Sequence, residues 1–445
     1  GRTQEYIHSD GVRYIEETGD PHKINLRTLR LNIQKKYMGQ SQKVRIQYSS
    51  KNATVANAWK KWQGEVKGIK KMKTVQTKQE FEKAFDRWAK GGEFDGVIAK
   101  IAQLYKDLEP YQFAADYYTE TARTIELANF AAGILGSFKT DKESKAVTFD
   151  SGKASGMAES FYKDYYLPID KECFVALMNE FDKNMSEEFK PQYFKERLAQ
   201  FGSIEAWAEH LFSESIFADP ARAAALASSD NIAEDMQAVL NDPATEFLNE
   251  FLKWYHADIL PVTTQLNQDL QLAYRDYMRG QMVYCRTQRV PKAFYPDANL
   301  TLRVAYGHIK GYSPADGTYY MPSSTIKGIM EKDNPEIFDY NIPQRLRDIY
   351  AQKDYGQWAD ATGEVPVCFI ATNHTTGGNS GSPVINAEGD LIGLNFDRVW
   401  EGTMSDIVFD PDICRNISLD VRYVLFIIDK VADADHLLEE MTFVE

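Results

Sequence analysis

Across 445 residues the chain carries 51 Lys and Arg against 65 Asp and Glu, a net charge of −14 that argues against a nucleic-acid binder, because phosphate contacts need clustered cations. The same acidic surplus would not attract acidic substrates, so any such preference requires a local cation. With 43% hydrophobic and 13% aromatic residues the chain can bury cores in two or three domains, which excludes wholesale disorder.

The chain opens Gly1-Arg-Thr-Gln-Glu, with neither an initiator Met nor a signal peptide, and reads as the middle of a longer protein. From about residue 24 to 290 the periodicity is helical. Thr77-Lys-Gln-Glu80 has the form of a capping box, followed by the stripe Phe81, Phe85 and Trp88 and a stop at Gly91-Gly92. Leu127, Phe130, Ile134 and Leu135 form a second stripe. Gly, Ser and Lys between Ser137 and Gly156 mark a loop. Ser203 precedes an amphipathic stretch with Trp207, His210 and Leu211, and the long aromatic run from Thr245 to Val290 holds Pro261 as a kink. No apolar run approaches the roughly 20 residues that span a bilayer. An all-α domain of several helices is expected, without a fixed-period repeat.

After Pro291 the punctuation changes. Thr301–Tyr306, Val365–Ala371, Val384–Asn386 and Leu391–Phe396 read as short strands, with Asn386-Ala-Glu-Gly389 as a hairpin turn. Val421, Val424, Leu425 and Ile428 return to helical spacing. A compact antiparallel β domain, one barrel closed by a C-terminal helix, is expected. Cys173, Cys285, Cys368 and Cys414 are far apart and form no CxxC pair, so neither a disulfide framework nor a zinc site is expected; no spacing supports any other metal or cofactor.

Gly377-Gly378-Asn379-Ser380-Gly381-Ser382-Pro383 is the stretch that carries chemistry. A serine among glycines, turned tightly before a strand, can point its hydroxyl into a cleft while the Gly378 and Ser380 amides aim at one point as an oxyanion hole. The form is similar to the Gly-Asp-Ser-Gly-Gly-Pro signature of chymotrypsin-like peptidases, with Ser380 as nucleophile; a Gly/Ser-rich hairpin turn is the plainer alternative. The base is not evident. Only about 80 residues separate the helical region from Ser380, too few for a first barrel. His308 and His374 are the nearby imidazoles, and both read as ordinary polar residues. His8, His22, His210, His256 and His436 lack a supporting constellation.

The residues beyond Ser380 continue Gly393-Leu-Asn-Phe-Asp397-Arg398-Val-Trp400-Glu401-Gly402. With Tyr295-Pro-Asp-Ala-Asn299, Asp420-Val-Arg-Tyr and the opening Gly1-Arg-Thr-Gln-Glu-Tyr, this closely resembles the bacterial dipeptidyl-peptidase 7 and 11 family over the entire chain. The resemblance implies an α+β fold: a chymotrypsin-like double barrel interrupted by a large all-α cap. On that layout residues 1–23 end the first barrel region and link onward, 24–290 are the cap, and 291–445 are the Ser-bearing second barrel with its C-terminal helix. The catalytic His and Asp would then precede residue 1, and this chain alone would be inactive. The resemblance further implies that Ser380 attacks the carbonyl of a peptide's second residue, and that Asp397 binds the free α-amino group with a charge-assisted hydrogen bond. Asn57, or its neighbour Asn52, would also contact that amine. Arg398 stands 18 positions after Ser380, where members with glycine prefer hydrophobic side chains and members with arginine prefer Asp and Glu. It points to the dipeptidyl-peptidase 11 type. An exposed Asp-Arg pair with no pocket role is the plain alternative at these positions.

The partners so implied are peptides with a free N-terminus, and the setting a homodimer in the periplasm or at the cell surface of a Gram-negative bacterium. Three other functions compete: a non-catalytic helical interaction module on a degenerate barrel, a hydrophobic-specific dipeptidyl-peptidase, and an uncapped endopeptidase.

Overall fold

The aromatic stripes read from the sequence bury themselves. In the computed structural model, which describes residues 4–144, 146–226 and 231–444, one compact unit takes in His8–Gln63 and Val75–Pro291. Gly1, Arg2 and Thr3 of the opening segment lie outside the described residues. The main core of this unit gathers Phe174, Phe181, Phe194, Trp207, Phe247 and Phe251. The Phe174 and Trp207 rings meet edge-on at 5.4 Å, an arrangement worth about 0.5–1.5 kcal/mol beyond the area it buries. A second core joins Phe85 of the helix Thr74–Ala89, Ile101 of Val97–Glu120 and Tyr277 of Leu260–Thr287. The amphipathic stretch after Ser203 is the helix Ile204–Glu214, and Ser203 caps it, its Oγ accepting from the Ala206 amide at 3.1 Å. Pro261 falls in the first turn of Leu260–Thr287, where its missing amide costs no helical bond, directly after the π-helical turn Tyr255–Ile259.

Two local expectations change here. The helix expected to start at Thr77 starts at Thr74, whose buried hydroxyl bonds back to the Ile69 carbonyl at 3.2 Å, so Thr77 and Glu80 are interior helical residues and make no capping box. The Ser137–Gly156 stretch is not simply a loop. Its ends pair as a small hairpin, β1 (Phe138–Thr140) with β2 (Val147–Phe149), because the Phe138 and Phe149 rings pack at 4.4 Å, and the helix Ser151–Lys163 follows at once.

The other unit is built from the chain up to Ile7, from Gly64–Thr74 and from Lys292–Glu445. Its sheet comprises β3 (Ser323–Thr325), β4 (Pro366–Ala371), β5 (Pro383–Ile385), β6 (Leu391–Arg398) and β7 (Asn416–Asp420). All pairs are antiparallel, in the order β3-β4-β7-β6-β5. Ile326, Trp358, Val365 and Phe426 form its core, and Asp420 caps the helix Val421–Phe426 by accepting from the Arg422 amide at 3.0 Å. The hairpin turn at Asn386–Gly389 joins β5 to β6, with Gly389 at φ +97°.

The closed barrel is not what forms. Among the described residues the sheet is open, with β3 and β5 as its edges. Closure needs long tilted strands with a continuous stagger, and both edge strands are only three residues long. Nor does Thr301–Tyr306 enter a ladder: Leu302 and Tyr306 are 93% and 89% exposed. The fold is therefore a helix-rich α+β architecture with an open antiparallel sheet.

Candidate active site

Ser380 lies in the turn entering β5, and backbone pairs on its far side fix where it stands. The Gly381 amide donates to the Asn395 carbonyl at 2.7 Å, and the Asn395 amide donates to the Ser382 carbonyl at 2.9 Å. Gly378 adopts φ +100° and Gly381 φ +82°, left-handed conformations that glycine supplies without steric cost. The Ser380 side chain is exposed, and its hydroxyl donates to the Phe396 carbonyl at 3.3 Å, on the outgoing half of β6. Among the described residues, neither the Gly378 nor the Ser380 amide donates a hydrogen bond. Two unspent donors beside an exposed hydroxyl are what an oxyanion site requires.

Beneath the turn runs a buried chain of amides that sequence reading missed. Asn416 Nδ2 donates to Asn395 Oδ1 at 2.9 Å and to Ser418 Oγ at 3.2 Å, while Asn395 Nδ2 donates to the Asn379 carbonyl at 3.1 Å. Asn395 and Asn416 are 5% and 3% exposed, so each bond is made without water competing. Asn395→Ala strands the Asn379 carbonyl and is expected to cost about 1–3 kcal/mol of stability, measured as the shift in the urea midpoint of the β unit's unfolding at unchanged m-value.

At the end of β6 the ladder with β7 slips. Asn395 faces Ser418 but Asp397 faces Ile417, so Phe396 is an extra residue and the strand bulges. The bulge resets the alternation. Asn395 is buried, Phe396 and Asp397 are both exposed, and Asp397 thereby leaves the buried side that two-residue spacing from Asn395 would assign it. The Asp397 carboxylate accepts from the Arg398 amide at 2.8 Å.

Arg398 is bound from within the protein. Its Nη1 and Nη2 donate to Asp406 Oδ1 and Oδ2 at 2.9 and 2.8 Å, and Nη1 also donates to Ser405 Oγ at 2.7 Å. Burial alone would lower the guanidinium's pKa, but Asp406, with Glu65 and Asp397 adding, holds it above the ordinary value. The turn Trp400–Asp406 that presents Asp406 is packed against Gly64 and Gly68: a Cβ on Gly64 would lie 2.6 Å from the Trp400 carbonyl, and one on Gly68 2.7 Å from Met404 Cγ. The Gln4 amide donates to the Asp406 carbonyl at 2.6 Å.

The remaining predicted positions sit elsewhere. Asn57 is exposed on the helix Gln42–Lys71, in the part belonging to the helical unit. Of the two asparagines weighed there, Asn52 donates to Gln34 Oε1 at 3.0 Å, whereas Asn57 makes no hydrogen bond among the described residues. His374 Nε2 lies 3.0 Å from the Ser405 carbonyl, and the backbone of His308 pairs with Thr372. No imidazole is bonded to Ser380 among the described residues, nor do three or more His, Cys, Asp or Glu gather where a metal could sit. No described helix is long and apolar enough to cross a membrane.

Comparison with known proteins places this geometry among peptidases. An Asp/Glu-specific dipeptidyl-peptidase of Capnocytophaga gingivalis is 37% identical over 452 residues, covering 100% of this chain and 62% of the relative. A dipeptidyl-peptidase 7 of Phocaeicola vulgatus is 33% identical over 455 residues, with the same coverage of 100% and 62%. The chain thus spans about three-fifths of the length of these relatives. The crystal structure of Porphyromonas endodontalis DPP11 in complex with the dipeptide Arg-Glu superposes with a TM-score of 0.85 at 31% identity, over 99% of this chain and 63% of that one. The peptidase S46 family model matches residues 1–443, and the chain belongs to that family.

Proposed function

We propose that the chain supplies the nucleophile and the substrate-binding rim of a serine dipeptidyl-peptidase that releases N-terminal dipeptides ending in Asp or Glu. The observation that carries this is the Ser380 turn, an exposed hydroxyl beside two undonated amides and against the strand whose end bears Asp397 and Arg398. The names of the Asp/Glu-specific relatives favour the acidic preference.

In the proposed cycle Ser380 Oγ attacks the carbonyl of the second residue and gives its proton to an imidazole acting as general base. The negative charge on the former carbonyl oxygen faces the Gly378 and Ser380 amides. Collapse of that intermediate breaks the peptide bond, the leaving amine takes the proton, and water then frees the dipeptide from Ser380. Asp397 pairs with the substrate's α-ammonium and restricts cleavage to free N-termini; Arg398 receives the acidic side chain. A homodimer in the periplasm or at the cell surface is carried over from the resemblance as the setting.

A second reading has one observation in its favour. The end-on pairing of Arg398 with Asp406 suits a structural arginine, and a dipeptidyl-peptidase of hydrophobic preference would then remain. Fluorogenic Leu-Asp, N-acetyl-Leu-Asp and Leu-Leu amides, given to the full-length protein, separate the readings. Cleavage of free Leu-Asp alone is expected. Preferential cleavage of Leu-Leu would discard the acidic preference, and cleavage of the acetylated amide would remove the amine anchor at Asp397.

A further inference from the structure

A guanidinium has five N–H donors in one plane, and it meets a carboxylate either end-on through both Nη atoms or side-on through Nε and one Nη. In Arg398 the end-on fork is filled by Asp406, and the other Nη1 hydrogen by Ser405. The Nε edge carries no hydrogen bond among the described residues. The pair is largely removed from water, at 15% and 13% side-chain exposure, and the partner's position is fixed by the packing of Trp400–Asp406 on Gly64 and Gly68.

We propose that Asp406 is a positioning residue that sets acidic specificity through Arg398: it holds the guanidinium end-on, directs a substrate carboxylate to the free Nε edge, and cancels most of the charge that carboxylate would otherwise meet. The inference rests on Arg398 being the acidic pocket. Recognition is then a matter of two directed hydrogen bonds to a nearly neutral pair, with Glu65 on the Gly64–Thr74 segment adding a further negative contribution at the guanidinium. The strength with which an acidic peptide is held is accordingly below what an unpaired arginine would give, and the chain carries the means of raising it.

Asp406→Asn removes the charge and keeps an oxygen acceptor. In the full-length enzyme this variant is expected to raise the kcat/KM ratio of Leu-Glu over Leu-Leu amide about tenfold, the size of effect from deleting one unit charge several ångströms from a carboxylate in a partly wet site. The gain should appear in KM for Leu-Glu, which a loss of structural support would raise instead. A folded variant whose KM for Leu-Glu is unchanged or higher overturns the proposal. A second measurement needs no variant. In the wild type, the ratio of KM for Leu-Glu to KM for Leu-Leu, in which the shared ammonium–Asp397 pairing cancels, should stay level or fall between dilute buffer and about 0.5 M salt, since little net cation is there to screen. A several-fold rise would reveal an uncompensated guanidinium and overturn the assignment of Asp406. A wild type with no acidic preference at all overturns the pocket reading itself, which the Leu-Asp and Leu-Leu comparison detects separately.

Discussion

Ser380→Ala in the full-length protein is expected to lower kcat on a free Leu-Asp amide by roughly four to six orders of magnitude, because removing the nucleophile of a serine peptidase disables the whole acyl-transfer sequence at once. KM should move little. The hydroxyl makes one bond, to the Phe396 carbonyl, and the turn is held by the Gly381, Asn395 and Ser382 backbone pairs, none of which the substitution touches. Stability should likewise change by less than about 0.5 kcal/mol, because the side chain is exposed and water can replace its one 3.3 Å bond. The residual rate would come from binding and the two amides alone. A loss smaller than about tenfold, in a variant with native unfolding behaviour, would remove Ser380 from the role of nucleophile.

Arg398→Gly should change which peptide is cut. Two charge-assisted hydrogen bonds to a substrate carboxylate are lost, and the Asp406 carboxylate they shared a cation with is left to repel it. Together these are expected to lower kcat/KM for Leu-Asp about 100-fold relative to Leu-Leu. The same variant removes the guanidinium partner of a largely buried carboxylate and should lose about 3–5 kcal/mol of stability. Combining it with Asp406→Asn is expected to recover part of that stability without restoring the acidic preference, so a double-mutant cycle read by both urea unfolding and hydrolysis separates the two effects. Survival of the preference in Arg398→Gly would mean that the cation lies elsewhere.

What the sequence announced was local. The Ser380 turn, the Asn386–Gly389 hairpin and β6 follow from glycines and alternation within a few residues. Thr77 misled because a capping box inside a longer helix looks the same as one at its start, and only the bond from Thr74 to Ile69 decides between them. The barrel misled because alternation marks a strand's face but not its partner. Thr301–Tyr306 has the pattern and makes no ladder. The site's supports were hidden for a related reason. Asn395 and Asn416 are 21 positions apart and meet only across the β6–β7 pair, and Asp406 reaches Arg398 only because the turn after β6 folds back.

The bulge at Phe396 has an evolutionary consequence. It divides β6 into a half that anchors the Ser380 turn through Asn395 and a half that carries Asp397 and Arg398, the residues proposed above to meet the substrate. Since the extra residue absorbs the change of phase between them, selection can rework the second half without disturbing the first. Relatives named for acidic specificity and relatives named dipeptidyl-peptidase 7 align with this chain over its full length at comparable identity, 34% and 33%. On the proposed roles, a diet of different peptides would be met by exchanging a rim residue, while the Ser380 turn and its supports are kept.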